Sequence, residues 1–226
     1  MKKIAGLVLL LVALIGLLYL IVTTVHIPAP ALMPGGAPGV QINVVQLYDD
    51  SAAYTVHVQY PQFGIANVDA VVKNYVDKAV ADIKTLPPNP PDSATPQDSL
   101  EGTFDAIYVG PDVVSAELIF SEDTGGAHPN TALLGVNVNR STGKELTLDD
   151  ALSMIGLTLQ QVSDTAKQQL QQKLGDGFAF PDGAAPTADN YGVFLVSADK
   201  VTFVFNDYQV APYSEGPQQV SFARKN

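Results

Sequence analysis

The chain has no cysteine and no tryptophan, and among its 226 residues only 3 are histidine and 12 are basic. Without a thiolate there is no disulfide, no cysteine zinc site, no thiol nucleophile and no iron–sulfur cluster. His26, His57 and His128 form no H-x-x-x-H pair, so a conventional zinc hydrolase site lacks its usual ligands. No G-x-S-x-G elbow, phosphate loop or dinucleotide fingerprint occurs, and Ser214 has no adjacent base signature. The 23 acidic residues give a net charge of −11, which argues against nucleic acid as a partner because phosphate binding needs clustered Lys and Arg.

What the chain does have is one long apolar run. Residues 4–25 carry no charge, and Lys2 and Lys3 precede them. Twenty-two helical residues reach roughly 33 Å, enough for a hydrocarbon core of about 30 Å. The reading is a single transmembrane helix at residues 4–25, with residues 1–3 as a short cytoplasmic end and the rest outside the cell. The rival is a signal peptide cut near Ala31, within Ala29-Pro30-Ala31, although signal cores run about 7–15 residues. Residues 26–39 are a Pro/Gly-rich stalk, unable to pair or pack well. Lys2 and Lys3 are two of the 12 basic residues, so 10 remain outside against 23 acidic ones, a net of −13.

Residues 40–226 are expected to form a single extracytoplasmic α+β domain. In the strand candidate 53–60, Tyr54, Val56, Val58 and Tyr60 alternate with polar residues. A helix follows: Val68, Val71, Val72, Tyr75, Val76, Ala79, Val80 and Ile83 fall at helical spacings, and Asn67 is a candidate N-cap. Residues 86–99 hold five prolines and read as a loop. Strands follow at 100–109, 113–121 and 132–139, then a turn at Arg140–Gly143 and a short helical turn at Asp149-Asp150. A second amphipathic helix carries Leu159, Val162, Ala166 and Leu170 and stops at Gly175. Strands at 191–197 and 201–206 and an edge strand at 218–222 complete a mostly antiparallel sheet of about seven or eight strands with two amphipathic helices.

Two segments are too particular for plain connections. In Thr124-Gly125-Gly126-Ala127-His128-Pro129-Asn130, two glycines permit unusual φ and Pro129 stiffens the chain beside an imidazole, with Gly126 a candidate for positive φ. Such a loop either presents His128 to a partner, metal or substrate or uses it to hold its own shape. In Tyr208-Gln-Val-Ala-Pro-Tyr213-Ser-Glu-Gly216, paired tyrosines around a proline suit either recognition or the sealing of a sheet edge by buried rings. The binding candidates are therefore Gly125, Gly126, His128, Pro129, Asn130, Tyr208, Tyr213 and Gly216. No catalytic residue, metal ligand or cofactor is assigned. The alternative is a hydrolase or metal-assisted enzyme acting on the cell envelope through His128 with Glu122 or Asp123.

Thr124-Gly-Gly-Ala-His-Pro129, Thr142-Gly-Lys-Glu-Leu-Thr-Leu148 and Tyr208-x-Val-Ala-Pro-Tyr213-x-x-Gly216, in that order, resemble a family of extracytoplasmic domains of unknown function. It is found in the C-terminal part of the anti-sigma regulator RsiV and the N-terminal part of the peptidoglycan deacetylase PdaC. Tyr60-Pro-x-Phe63 and the helix after it also resemble the first half of that module, so the likeness spans roughly residues 40–223. The resemblance implies an α+β module without established enzymatic activity, and in RsiV the module binds lysozyme. The expectation is a membrane-anchored, non-enzymatic module whose partner is peptidoglycan or a basic cell-wall-active protein such as a lysozyme, drawn by long-range attraction to the acidic domain. With the anchor uncleaved, protease added to intact spheroplasts is expected to remove a C-terminal tag; a protected tag, or a soluble form starting near Leu32, would refute the anchor.

Overall fold

The computed structural model describes residues 41–90 and 97–225; the apolar run, the stalk and residues 91–96 of the Pro-rich segment lie outside the described residues. Among those described, no helix is long and apolar enough to cross a membrane. The element order is β1 (Asn43–Tyr48), β2 (Tyr54–Gln62), α1 (Ala66–Lys84), β3 (Asp98–Val109), β4 (Val113–Asp123), β5 (Asn130–Asn139), α2 (Leu148–Ile155), α3 (Leu159–Leu174), β6 (Phe194–Val196), β7 (Lys200–Phe205) and β8 (Gln218–Ala223).

The α+β class and the mostly antiparallel pairing agree with the sequence reading, but the strands divide into two sheets. Sheet one has the order β1-β2-β3-β4-β5, and sheet two is β6-β7-β8. Among the described strands only β2 and β3 pair in parallel, joined by a crossover that contains α1. Among the described residues there are also three α-helices rather than two. The expected turn at Asp149-Asp150 is the eight-residue α2, started by a capping box between Thr147 and Asp150 and ended by Gly156 at φ +64°. A second capping box, Thr158 with Gln161, starts α3, and Gly175 caps its end as expected. The N-cap of α1 is Ile65, not Asn67; Asp69 in its first turn reaches back to accept from Phe63 N at 2.7 Å. Gly143 takes the expected positive φ, +71°.

α1 lays Val68, Val72, Val76 and Ile83 on one face of sheet one, against Val56, Val58, Leu100, Val114, Ala116, Leu118, Val136 and Val138. Around sheet two, α2 and α3 pack a second cluster in which Tyr191, Phe203 and Phe205 are fully buried. The two clusters join because sheet two covers the other face of sheet one at β4 and β5. Leu133 packs with Leu195 and Val204 there. Ser115 Oγ and Asn137 Oδ1 both accept from Val196 N, at 3.0 and 3.2 Å, and Asn137 Nδ2 donates to Phe194 O at 2.7 Å. These side chains satisfy the backbone of β6 where no strand does.

Gly135 permits this approach. A Cβ there would fall 2.0 Å from Phe194 O. Opposite it in register stands Glu117, only 6% exposed, with Oε1 buried and unpartnered. Burial, and secondarily the facing Asp105, push its pKa above the usual glutamate value. Gly135→Ala is expected to destabilise by about 3 kcal/mol, the upper end of the overpacking range, read from the denaturant midpoint. For Glu117 the sign follows from its raised folded pKa: the folded state binds the proton more tightly, so stability is fully present below the unfolded value of about 4.3 and is lost as pH rises through the folded value. Glu117→Gln is expected to melt higher than the native chain at pH 7, the difference closing on acidification to pH 4. Equal melting temperatures across that range would refute the buried-carboxylate account.

Candidate functional site

The loop between β4 and β5 begins with an Asx-type turn in which Asp123 Oδ1 accepts from Gly125 N at 2.9 Å. Gly125 takes φ +84°, so the positive φ falls there and not at Gly126. A Cβ on Gly126 would meet nothing closer than His128 O at 3.5 Å, which removes the steric reason for glycine at that position. The loop leads into Asn130, which pairs with Glu122 at the end of the β4–β5 ladder.

The segment after β7 is held by its middle. Val210 and Ala211 are 0% and 2% exposed and belong to the second core. Gln209 Nε2 donates to Gly183 O and Asn190 O, and its Oε1 accepts from Asn206 N. Burying Val210 and Ala211 turns the flanking tyrosines outward: Tyr208 is 54% exposed and Tyr213 is 40% exposed. Neither ring is buried, in contrast to the edge-sealing alternative; the two small apolar residues between them enter the core instead. Tyr208 sits at φ +63°, a rare conformation for a bulky residue. Tyr213 opens a 3-10 turn closed by Gly216 at φ +66°, and Gln218 Nε2 donates to the carbonyls of Glu215 and Gly216.

The two segments, some eighty residues apart, meet. His128 stacks on Tyr213 with centroids 4.0 Å apart and planes at 16°, Tyr208 stacks 6.1 Å from His128 and 5.7 Å from Tyr213, and all three rings lie within 26° of one another. His128 Nδ1 lies 2.8 Å from Pro129 O, and a carbonyl can only accept, so Nδ1 carries the proton. In the neutral ring Nε2, 3.1 Å from Tyr208 Oη, then accepts from that hydroxyl. Both imidazole nitrogens are thereby engaged, and the ring faces remain for contact. Gly125, Pro129 and Gly216 shape the backbone around this platform, whereas Gly126 has no side chain to add to it and Asn130 belongs to the β4–β5 ladder.

Sequence reasoning missed what brings the segments together. Asn206 Oδ1 accepts from Leu133 N at 2.7 Å and its Nδ2 donates to Leu133 O at 3.3 Å, so its amide pairs with β5 as a strand residue would. An asparagine ending a strand just before the tyrosine segment was the available signal. Asp207 Oδ1 and Gln218 Oε1, also in this corner, are buried acceptors without protein partners. The remaining globular histidine, His57, lies elsewhere, between Asp50 and Glu101 on sheet one. Among the described residues no group of three or more His, Asp or Glu is placed to hold a metal ion, and Asp123 is occupied in shaping the loop.

Comparison with known proteins agrees with this architecture. PdaC, a peptidoglycan-N-acetylmuramic acid deacetylase of Bacillus subtilis (strain 168), is 23% identical over 189 residues, covering 81% of this chain and 40% of PdaC. Esterase Rv3036c of Mycobacterium tuberculosis is 29% identical over 111 residues, covering 49% of this chain and 48% of the esterase. The chain thus spans less than half the length of these relatives. A DUF3298 family protein of Pseudomonas aeruginosa PAO1, solved by crystallography, superposes with a TM-score of 0.56 at 16% identity, covering 82% of this chain and 94% of that one, a likeness of fold. Residues 155–225, which contain α3, all of sheet two and both platform tyrosines, match the family described as "Protein of unknown function (DUF3298)".

Proposed function

We propose that the chain is a non-enzymatic binding module of the cell envelope, anchored through residues 4–25, whose recognition surface is the His128–Tyr208–Tyr213 platform. The observation that carries this reading is the platform itself: three parallel rings left exposed while their backbone is anchored in the core. Stacked tyrosines offer rigid area at low entropic cost, and exposed ring faces accept Arg and Lys side chains. Glu215 and Asp207 adjoin the two tyrosines in sequence, and the part outside the membrane carries a net of −13 in the reading given above. This chemistry favours a basic cell-wall-active protein, such as a lysozyme, over peptidoglycan, whose sugar rings could use the same stack. The resemblance to the RsiV module and the likeness to a peptidoglycan deacetylase point to the same setting.

A second reading, ester hydrolysis, draws on the likeness to Esterase Rv3036c. Against it stands the state of His128: Nδ1 serves Pro129 and Nε2 serves Tyr208, which leaves no free nitrogen to act as a base.

Binding of the full-length chain to hen lysozyme and to purified peptidoglycan, with thermal melting alongside, tests the proposal. Tyr208→Ala and Tyr213→Ala are each expected to weaken lysozyme binding about 30-fold, the loss typical of a hot-spot ring at about 2 kcal/mol, with small changes in melting because the rings are exposed. Salt should weaken the complex further. Native affinity in both variants would refute the platform; binding to peptidoglycan alone would replace the protein partner with glycan. Hydrolysis of p-nitrophenyl acetate that His128→Ala abolishes would favour the esterase reading.

A further inference from the structure

The chain has two arginines, Arg140 and Arg224, and both lie by the turn between β3 and β4. Arg140 braces that turn, with Nη1 donating to Gly110 O at 3.2 Å and its backbone N to Asp112 O at 2.8 Å. Arg224 lines a cleft of about 280 Å³ together with Tyr108, Asp112, Val113, Ala198 and Lys225. The C-terminal segment that carries it is fixed from two sides. Arg224 N donates to Asp199 O, and its Nη1 donates to Ser197 O, each at 2.8 Å. Lys225 N donates to Met154 O, and its stem crosses Gly156, where Nζ donates to Gly156 O at 3.1 Å.

The charges of this cleft are held apart. Among the described residues the ion pairs of Lys and Arg are those of Lys73, Lys78 and Lys84, each on an aspartate elsewhere. Arg224 and Asp112 therefore face one cleft at a separation too large for a bond between them. Arg224 spends one of its five N–H donors on Ser197, which leaves a planar fork suited to a carboxylate. A simple anion would gain Arg224 and meet Asp112; a simple cation would do the reverse. A molecule carrying both charges satisfies each.

We propose that this cleft binds a small zwitterion of amino-acid to dipeptide size, its carboxylate on Arg224 and its ammonium group on Asp112. Such a zwitterion is a free amino acid or a free dipeptide, and the two differ in length. This site is separate from the aromatic platform, and its test does not depend on that reading. Calorimetric titration of the full-length chain with alanine, alanyl-alanine, N-acetyl-alanyl-alanine and alanyl-alaninamide decides it. Saturable binding of a ligand with both ends free is expected, with at least a tenfold loss on blocking either end; alanine binding as well as the dipeptide would identify a free amino acid, and dipeptide preference a free dipeptide. Arg224→Met should abolish binding, and Asp112→Asn should weaken the free dipeptide tenfold while leaving its N-acetylated form unchanged. Because Arg224 also fastens the C-terminal segment, the Asp112 variant, on another element, keeps the test independent of folding. No saturable heat up to about 10 mM, beyond ordinary millimolar affinity, equal binding of blocked and free dipeptides, or native affinity in both variants would overturn the proposal.

Discussion

The pairing of the Asn206 amide with the main chain of Leu133 fixes the candidate site. Leu133 lies five residues beyond His128 on β5, and Asn206 lies two residues before Tyr208 at the end of β7. Locking these two points sets the register of one sheet against the other. A slip of one residue would turn the outward and inward sets of β5 over together. The ring stack at 4.0 Å tolerates no such slip, so the geometry of the platform is inherited from a bond between sheets rather than from its own loops.

The same junction explains where the sequence misleads. In β4, Val114, Ala116, Leu118 and Phe120 alternate with Ser115, Glu117, Ile119 and Ser121, which reads as a strand with one wet face. The helix-facing set is as expected, yet Ser115 is 0% exposed and Glu117 6%, because sheet two covers the polar set. Periodicity tells which residues share a face; what lies against that face depends on residues far along the chain. Here it depended on Gly135, which lets Phe194 approach, and on Asn137, which bonds it. The strands, two of the three helices and several turns were legible for the opposite reason: their causes are local. Capping boxes lie within four residues, and glycine stops helices by its own backbone freedom. The missed N-cap of α1 shows the limit even there: Ile65 takes that position without a side-chain cap, and Asp69 reaches back to Phe63 N ahead of the helix.

The candidate residues were also legible singly and not together. Glycine, histidine and proline in one loop, and tyrosines around Val-Ala-Pro in another, mark unusual backbone and exposed rings. Nothing in either segment encodes that His128 and Tyr213 stack. Tyr213 stays exposed because the core takes Val210 and Ala211 rather than the largest ring. Large aromatics at recognition surfaces often depend on this division of labour, in which small residues anchor and rings project. The positive φ of Tyr208 fits the same scheme: backbone strain is tolerated where neighbouring anchors over-determine the conformation.

The two proposed sites lie at opposite ends of shared strands. β4 starts at Val113, in the cleft wall, and ends at Asp123, which shapes the His128 loop. β7 starts beside Ala198 and ends beside Asn206. Eleven residues of β4 span about 35 Å, well beyond the distance at which substitutions couple through shared neighbours. Both ends nonetheless draw on one junction, since Ser115, Asn137 and Gly135 hold β6 against these strands. A defect in that junction would loosen both sites at once, whereas a defect in either site should leave the other intact. The architecture therefore separates what each end can recognise from what keeps the two sheets in register.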